Sequence, residues 1–346
     1  MGTGAEARRL YLGQVDGRFD PARDLALGPF CFHTHESRSL ALEPGAFMDP
    51  SDDSDEILNC YLQAGKYSAR LAFELARELN RRHGTSYGLG YWREILVPWL
   101  CLVIQAAFGR FLLISRFVEK YGSEELVVEI AEGETDWQVL DIDEFARLLR
   151  TSEMDFWLNS LFMARLAPTN WKLIKVPLPQ PAPRQAPTDM AGSQSLSGRI
   201  FRHFFKRLSF DNVAGVRVMS IFFSIYIQLL KARPDRTPPH DAEPPQPSPK
   251  IPGAVRQVVG AIIQSAMPQS YGTRFKELDD KAGRLSYKKG RLMVTSVTRY
   301  NDEVRFISAH AKEAGEKLVR TSHGINPGTA KFLLANDYEY DNHAYL

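Results

Sequence analysis

Thirteen of the chain's 21 prolines fall between Pro177 and Pro252. Proline lacks a backbone N–H and locks φ, so such a stretch can neither continue a helix nor serve as a central strand. The prolines stand in two clusters, PLPQPAPRQAP and ARPDRTPPHDAEPPQPSPKIP, which read as extended linkers or long surface loops. The chain is thereby divided into three parts: residues 1–176, a Pro-rich insertion at 177–252 and a segment at 253–346. An apolar stretch within 199–230 lies between the clusters and has to be buried.

Both flanking parts alternate short β-branched runs with helical periodicity. In the first, DLALGPFCF at 24–32 reads as a strand ending in a turn, because Gly28 and Pro29 interrupt it. Ile57, Tyr61, Ala64, Tyr67, Leu71, Leu75 and Leu79 recur in steps of three and four, which predicts an amphipathic helix over 54–83. Asp52, Asp53 and Ser54 are its candidate N-caps, and Gly84 is its expected stop. LVVEI at 126–130 reads as a strand, and helices are expected over 141–150 and 155–165. In the last part, helix is expected over 255–266 and 302–315, and strand over 292–298 and 317–321. Strand, helix, strand, loop, helix is the order of a βαβ unit. The predicted fold class is α/β, with Rossmann-like layers on parallel sheets.

Length and charge exclude several classes. At about 150 residues per domain, 346 residues make roughly two domains. Lys+Arg 43 against Asp+Glu 41 leaves a net charge of +2, too even a balance for a dedicated nucleic-acid binder. Cys31, Cys60 and Cys101 are 29 and 41 residues apart, which fits neither a metal site nor a disulfide framework, so a reducing, cytoplasmic setting is expected. The first residues, MGTGAEARRLYLG, contain no apolar signal core. The apolar run at 95–118 carries Arg110 near its middle; a charge there is costly in lipid, and a buried core helix is expected. The run at 213–230 carries Arg217 and is read in the same way, as buried strand and helix. RIFRHFFKR at 199–207 fits either a solvated helix or peripheral contact with anionic headgroups at the inner membrane.

Chemistry concentrates in SHGINPG at 322–328, just past the strand expected at 317–321. Ligands of open α/β sheets bind beyond the carboxyl ends of strands. Gly324 allows close backbone approach, Asn326 is a good N-cap, and Pro327 suits a first helical position. Gly328 and Thr329 would then offer free N–H groups at a helix start, where phosphate is welcome. His323 beside them can donate to a phosphate or take a proton from a hydroxyl. The same string also fits a glycine turn whose histidine only ends a strand. His33 and His35 lie two apart in CFHTHE without a third ligand, so no metal site is assigned and His33 is placed near a cleft. Arg93 could pair with a phosphate or form a structural ion pair at a helix start. Asp141 and Asp143 spell D-x-D but suit the start of a helix. No P-loop or GxGxxG string is present, which sets aside P-loop NTPases and typical dinucleotide enzymes.

Several blocks, in order, resemble a family of transferases found in bacterial surface-polysaccharide loci. LALGPFCF at 25–32 is similar to its "LGxWC" turn, and HGTSYGLGYWREILVPWL at 83–100 to its "H…S.RYWR..iGPWL" block. Asp155, Trp157 and Asn159 match its "D.WN" element. The stretch 291–328 is similar to "IfTS…F..W.A…G..l...QHGG.YG", and Glu339 and Asp341 to the acidic "E..ISD" that follows. The resemblance implies a GT-B-like glycosyltransferase, with an acceptor-side domain over 1–176. It would pass a sugar from a nucleotide-activated co-substrate to a glycan or lipid-linked acceptor, without a further cofactor. A similar histidine-glycine loop occurs in polyol-phosphate polymerases of teichoic acid synthesis. It implies for His323 the role of base or phosphate contact, with Gly324, Asn326, Gly328 and Thr329 on the donor side and His33, Arg93, Glu339 and Asp341 around the cleft.

The pattern is not complete. Ser322, Ile325 and Pro327 replace an amide, a glycine and an aromatic residue of the family motif. The chain ends at DNHAYL, where the family continues, so the second, donor-binding domain is expected to be missing or incomplete. The alternative expectation is a truncated, non-catalytic relative that acts as a scaffold or acceptor-binding subunit.

Overall fold

A computed structural model describes residues 8–32, 54–133, 135–178, 213–214, 251–289, 292–296, 302–321 and 343–344. The chain divides into two units. The first comprises Met1–Ala64, Cys101–Ala182 and Pro249–Pro268, and the second Gly65–Leu100, Pro183–Ser248 and Gln269–Leu346. Two long helices, α1 (Ser54–His83) and α2 (Leu89–Tyr121), supply residues to both.

The first unit is built on β1 (Arg8–Tyr11), β2 (Leu25–Ala26), β3 (Leu126–Ala131) and β4 (Lys172–Val176). They form one parallel sheet in the order β2-β1-β3-β4. The alternation expected of a half-covered strand is plain in β3: Leu126, Val128 and Ile130 are buried, while Val127, Glu129 and Ala131 are half-buried. β1 lies between its sequence successor β2 and the later β3, with Leu10 opposite both Leu25 and Val128. The chain thus builds outward from β1 first one way and then the other. The strand expected at 24–32 is only Leu25–Ala26, followed by a 3-10 turn at Pro29–Phe32, because Gly28-Pro29 breaks the extended backbone.

Three helices complete this unit: α3 (Ile142–Leu148), α4 (Ser152–Leu166) and α5 (Gly253–Ala266). Asp141 caps α3 by accepting from Glu144 N, so the D-x-D letters mark a helix start. Thr151 caps α4 by accepting from Met154 N. α4 is moored to the carboxyl ends of two strands: Asn159 Nδ2 donates to Leu12 O at 2.7 Å, and Ala131 N donates to Ser160 Oγ at 2.9 Å. α5 turns Val255, Val258, Val259 and Ile262 inward against α4. α2 is long and apolar enough to cross a membrane, and 61% of its most apolar window is buried inside the protein. Arg110, on that helix, forms an ion pair with Asp155 of α4, so the charge that is awkward in lipid is neutralised within the core.

The second unit holds another parallel sheet, in the order β5-β6-β7-β8, from β5 (Val213–Ala214), β6 (Leu292–Ser296), β7 (Lys317–Thr321) and β8 (His343–Ala344). Helix α6 is Phe275–Gly283, and helix α7 (Asp302–Glu313) links β6 to β7, the βαβ order expected from sequence. This unit's core is aromatic. Trp92, Trp99, Tyr271, Phe275 and Phe306 are each at most 2% exposed. His83, the last residue of α1, stacks on Phe275 at 4.1 Å and lies 3.0 Å from Tyr271 O. Gly84 follows with φ of +66°, the left-handed conformation that ends a helix cheaply only at glycine.

Candidate functional site

A cavity of about 680 Å³ opens on the first sheet. Its floor is one face of β1, β3 and β4, lined by Tyr11, Glu129 and Ile174, with Glu129 opposite Ile174 across the β3–β4 pair. Its wall is formed by the loop after β1 and the first turns of α4. This is the carboxyl end of the sheet at the point where strand order reverses about β1. Open α/β sheets receive ligands there because the two loops diverge and leave a crevice.

Local chemistry fixes that crevice. Gly13 approaches α4 so closely that a Cβ would lie 2.9 Å from Phe156 Cβ, so no larger residue fits without displacing the helix. Arg18 folds back on Asp16, with Nη2 2.7 Å from Oδ2, and reaches Glu129 with Nη1 3.7 Å from Oε1. The hydrogen bond from Arg18 holds the Asp16 carboxyl below the usual range. Burial pushes the Tyr11 hydroxyl up, keeping it a neutral phenol at physiological pH. Phe19 meets Tyr11 and Phe32 edge to face, at 5.4 and 5.6 Å. Below it Asp24, 1% exposed, accepts from Arg9 N, Asp20 N and Arg23 Nε and so ties the loop to its strand.

A second constellation lies within the second unit. Asp279 Oδ1 accepts from Tyr91 Oη at 2.6 Å and lies 2.8 Å from His310 Nε2, and Oδ2 accepts from Tyr87 Oη at 2.9 Å. Tyr87 and Tyr91 stack at 3.9 Å, and Tyr287 lies parallel to the His310 ring at 5.9 Å. Burial works to raise the Asp279 carboxyl, but the hydrogen bonds from His310, Tyr91 and Tyr87 outweigh it, leaving the group below the ordinary range. Burial first, and then the bonds to Asp279, push both tyrosine hydroxyls well above theirs. The side chains of His310 and Asp279 are 14% and 13% exposed. Asp279 meets three donors, and the cluster joins α6, α7 and the start of α2.

The residues singled out from sequence fall unevenly on this frame. His33, His323, Gly324, Asn326, Gly328, Thr329, Glu339 and Asp341 lie outside the described residues. Arg93 is described, half-buried on α2 within the second unit. The D.WN letters prove architectural: Asp155 pairs with Arg110, Trp157 is 2% exposed against Trp137, and Asn159 holds Leu12 O. The cavity residues were not singled out from sequence, because RRLY and the loop after it carry no motif.

Two parallel sheets accompanied by helices make this an α/β protein of layered, Rossmann-like type. The chain belongs to the LIC12162 family of transferases, whose family description matches residues 8–346. No curated protein and no solved structure matches the chain.

Proposed function

We propose that this transferase passes a sugar or related group from a nucleotide-activated donor to a glycan or lipid-linked acceptor of a surface polysaccharide. In that reaction an acceptor hydroxyl attacks the anomeric carbon. The bond to the phosphate oxygen breaks, and the nucleotide diphosphate departs. His323 either takes the hydroxyl proton or donates to the departing phosphate. Gly324, Asn326, Gly328 and Thr329 cradle the donor phosphates, with His33, Arg93, Glu339 and Asp341 around the reacting groups. The expected setting is cytoplasmic, with 199–207 as a peripheral contact with the inner membrane.

The observation that carries this reading is the course of the chain through 292–321. It forms β6, α7 and β7, and β7 is paired in parallel on both sides. The motif begins at Ser322, directly after Thr321, and therefore leaves the carboxyl end of an internal strand. That is the end at which parallel sheets bind nucleotides and phosphates. The test is His323→Ala. Transfer from nucleotide-sugar donors should be abolished while the circular-dichroism spectrum and melting temperature stay those of the parent chain. Turnover at the parental rate would remove the proposed role.

A further inference from the structure

We infer that the turn between α6 and β6 is a docking surface for an anionic lipid bilayer, with Leu285 entering the headgroup layer and Arg284, Lys288 and Lys289 meeting lipid phosphates. This surface is separate from 199–207 and independent of the transfer chemistry.

Charge argues first. From Lys281 to Arg291 the sequence KAGRLSYKKGR carries five cations and no carboxylate, in a chain whose totals are 43 against 41. Lys281 is paired with Glu303 at 2.7 Å. Arg284, Lys288 and Lys289 are exposed, and among the described residues they form no ion pair. Two nearby carboxylates face other partners. Asp279 holds its three donors, and Glu316, 6% exposed, accepts from the Lys288 backbone N–H. Clustered cations of this kind are drawn to anionic leaflets, each strengthening the attachment about fivefold.

Shape argues second. Leu285 N donates to Ala282 O at 3.1 Å, Tyr287 Oη to the same carbonyl at 2.8 Å, and Lys288 N to Glu316 Oε1 at 2.7 Å. The turn is therefore set before a partner arrives, and little ordering is needed on docking. Leu285 stands 39% exposed among the cations. An apolar tip within a basic collar suits the boundary between headgroups and acyl chains. A nucleic acid would use the charges and leave the leucine without a role.

Position argues third. Leu292 opens β6 opposite Lys317, which opens β7. A Cβ on Gly315 would lie 3.2 Å from Lys289 Cγ, so the basic turn sits at the amino ends of these strands. Phosphates of a small ligand belong to the carboxyl ends. A bilayer on the turn leaves that opposite edge open.

The experiment floats the intact chain with vesicles of phosphatidylcholine alone, and of phosphatidylcholine and phosphatidylglycerol in equal parts, with a mixed-sequence DNA duplex as competitor. The chain should bind the anionic vesicles and not the neutral ones, and less as salt rises. The double variant Lys288→Gln, Lys289→Gln should weaken binding about twenty-five-fold. Leu285→Ser, at an exposed position, should weaken it several-fold with the parental melting temperature. Absence of binding to anionic vesicles overturns the inference, as does preference for the duplex. Parental binding by the double variant also overturns it and leaves 199–207 as the membrane contact. Parental binding by Leu285→Ser denies the leucine its place in the headgroup layer and overturns the inference as stated.

Discussion

Asp279 shows how a single carboxylate can set the behaviour of its surroundings. Three donors converge on it from α2, the segment before α2, and α7. Hydrogen bonds to a charged group are worth about 1.5–3 kcal/mol each in net terms, so Asp279→Asn should lower unfolding free energy by about 2 kcal/mol. The carboxyl is held below its ordinary value of 3.8. Its contribution is therefore present above pH 3.8 and lost as pH falls through the folded value. Tyr87 and Tyr91 are raised from 10.0, so their share is intact below pH 10 and lost as pH rises past it. Urea unfolding across pH should show both limbs in the parent chain. Asp279→Asn should flatten the acid limb; an unchanged profile would deny the cluster this role. None of these partners was legible in the sequence. Tyr87 and Asp279 are 192 positions apart, and no spacing rule connects them.

At the scale of elements, legibility followed length and independence. The helix over 54–83 was readable because thirty residues of periodic apolar positions specify it locally. Strand β7 was readable from β-branched composition, and its observed span is the expected one. β1 was not readable. Four residues, RRLY, have no periodicity of their own, and they become a strand through pairing with β2 on one side and β3 on the other. β4, KLIKV, escaped for a related reason: Lys172 and Lys175 suit an edge strand, where charge guards the unpaired side. α4 was expected to begin at Asp155 and begins at Ser152, because the cap is Thr151. Thr151→Ala should cost about 1 kcal/mol. The check is a lower urea midpoint with an unchanged m-value. A midpoint identical to the parent's would mean that the cap contributes nothing.

For the whole molecule, the two units interleave along the chain. Proline clusters mark where regular structure stops, but they carry no information about which distant helix returns to which sheet. α5 returns to the first unit from position 253 onward and buries Val255, Val258 and Ile262 at 0% exposure. A fragment ending at residue 182 would leave that surface of α4 uncovered. Such a fragment should lose cooperative unfolding, and a peptide spanning 249–268, added in trans, should restore part of it. Parental cooperativity in the bare fragment would show that α5 is dispensable. The family's transferase class covers the chain almost end to end.

The Asp16, Arg18 and Glu129 side chains are 47%, 58% and 44% exposed. Ion pairs so open to water contribute at most about 1 kcal/mol, and dissolved electrolyte weakens them further, with a Debye length of about 8 Å at physiological ionic strength. The rim of the crevice is therefore fastened by attractions that its ionic surroundings can tune, while its floor of paired strands is indifferent to them.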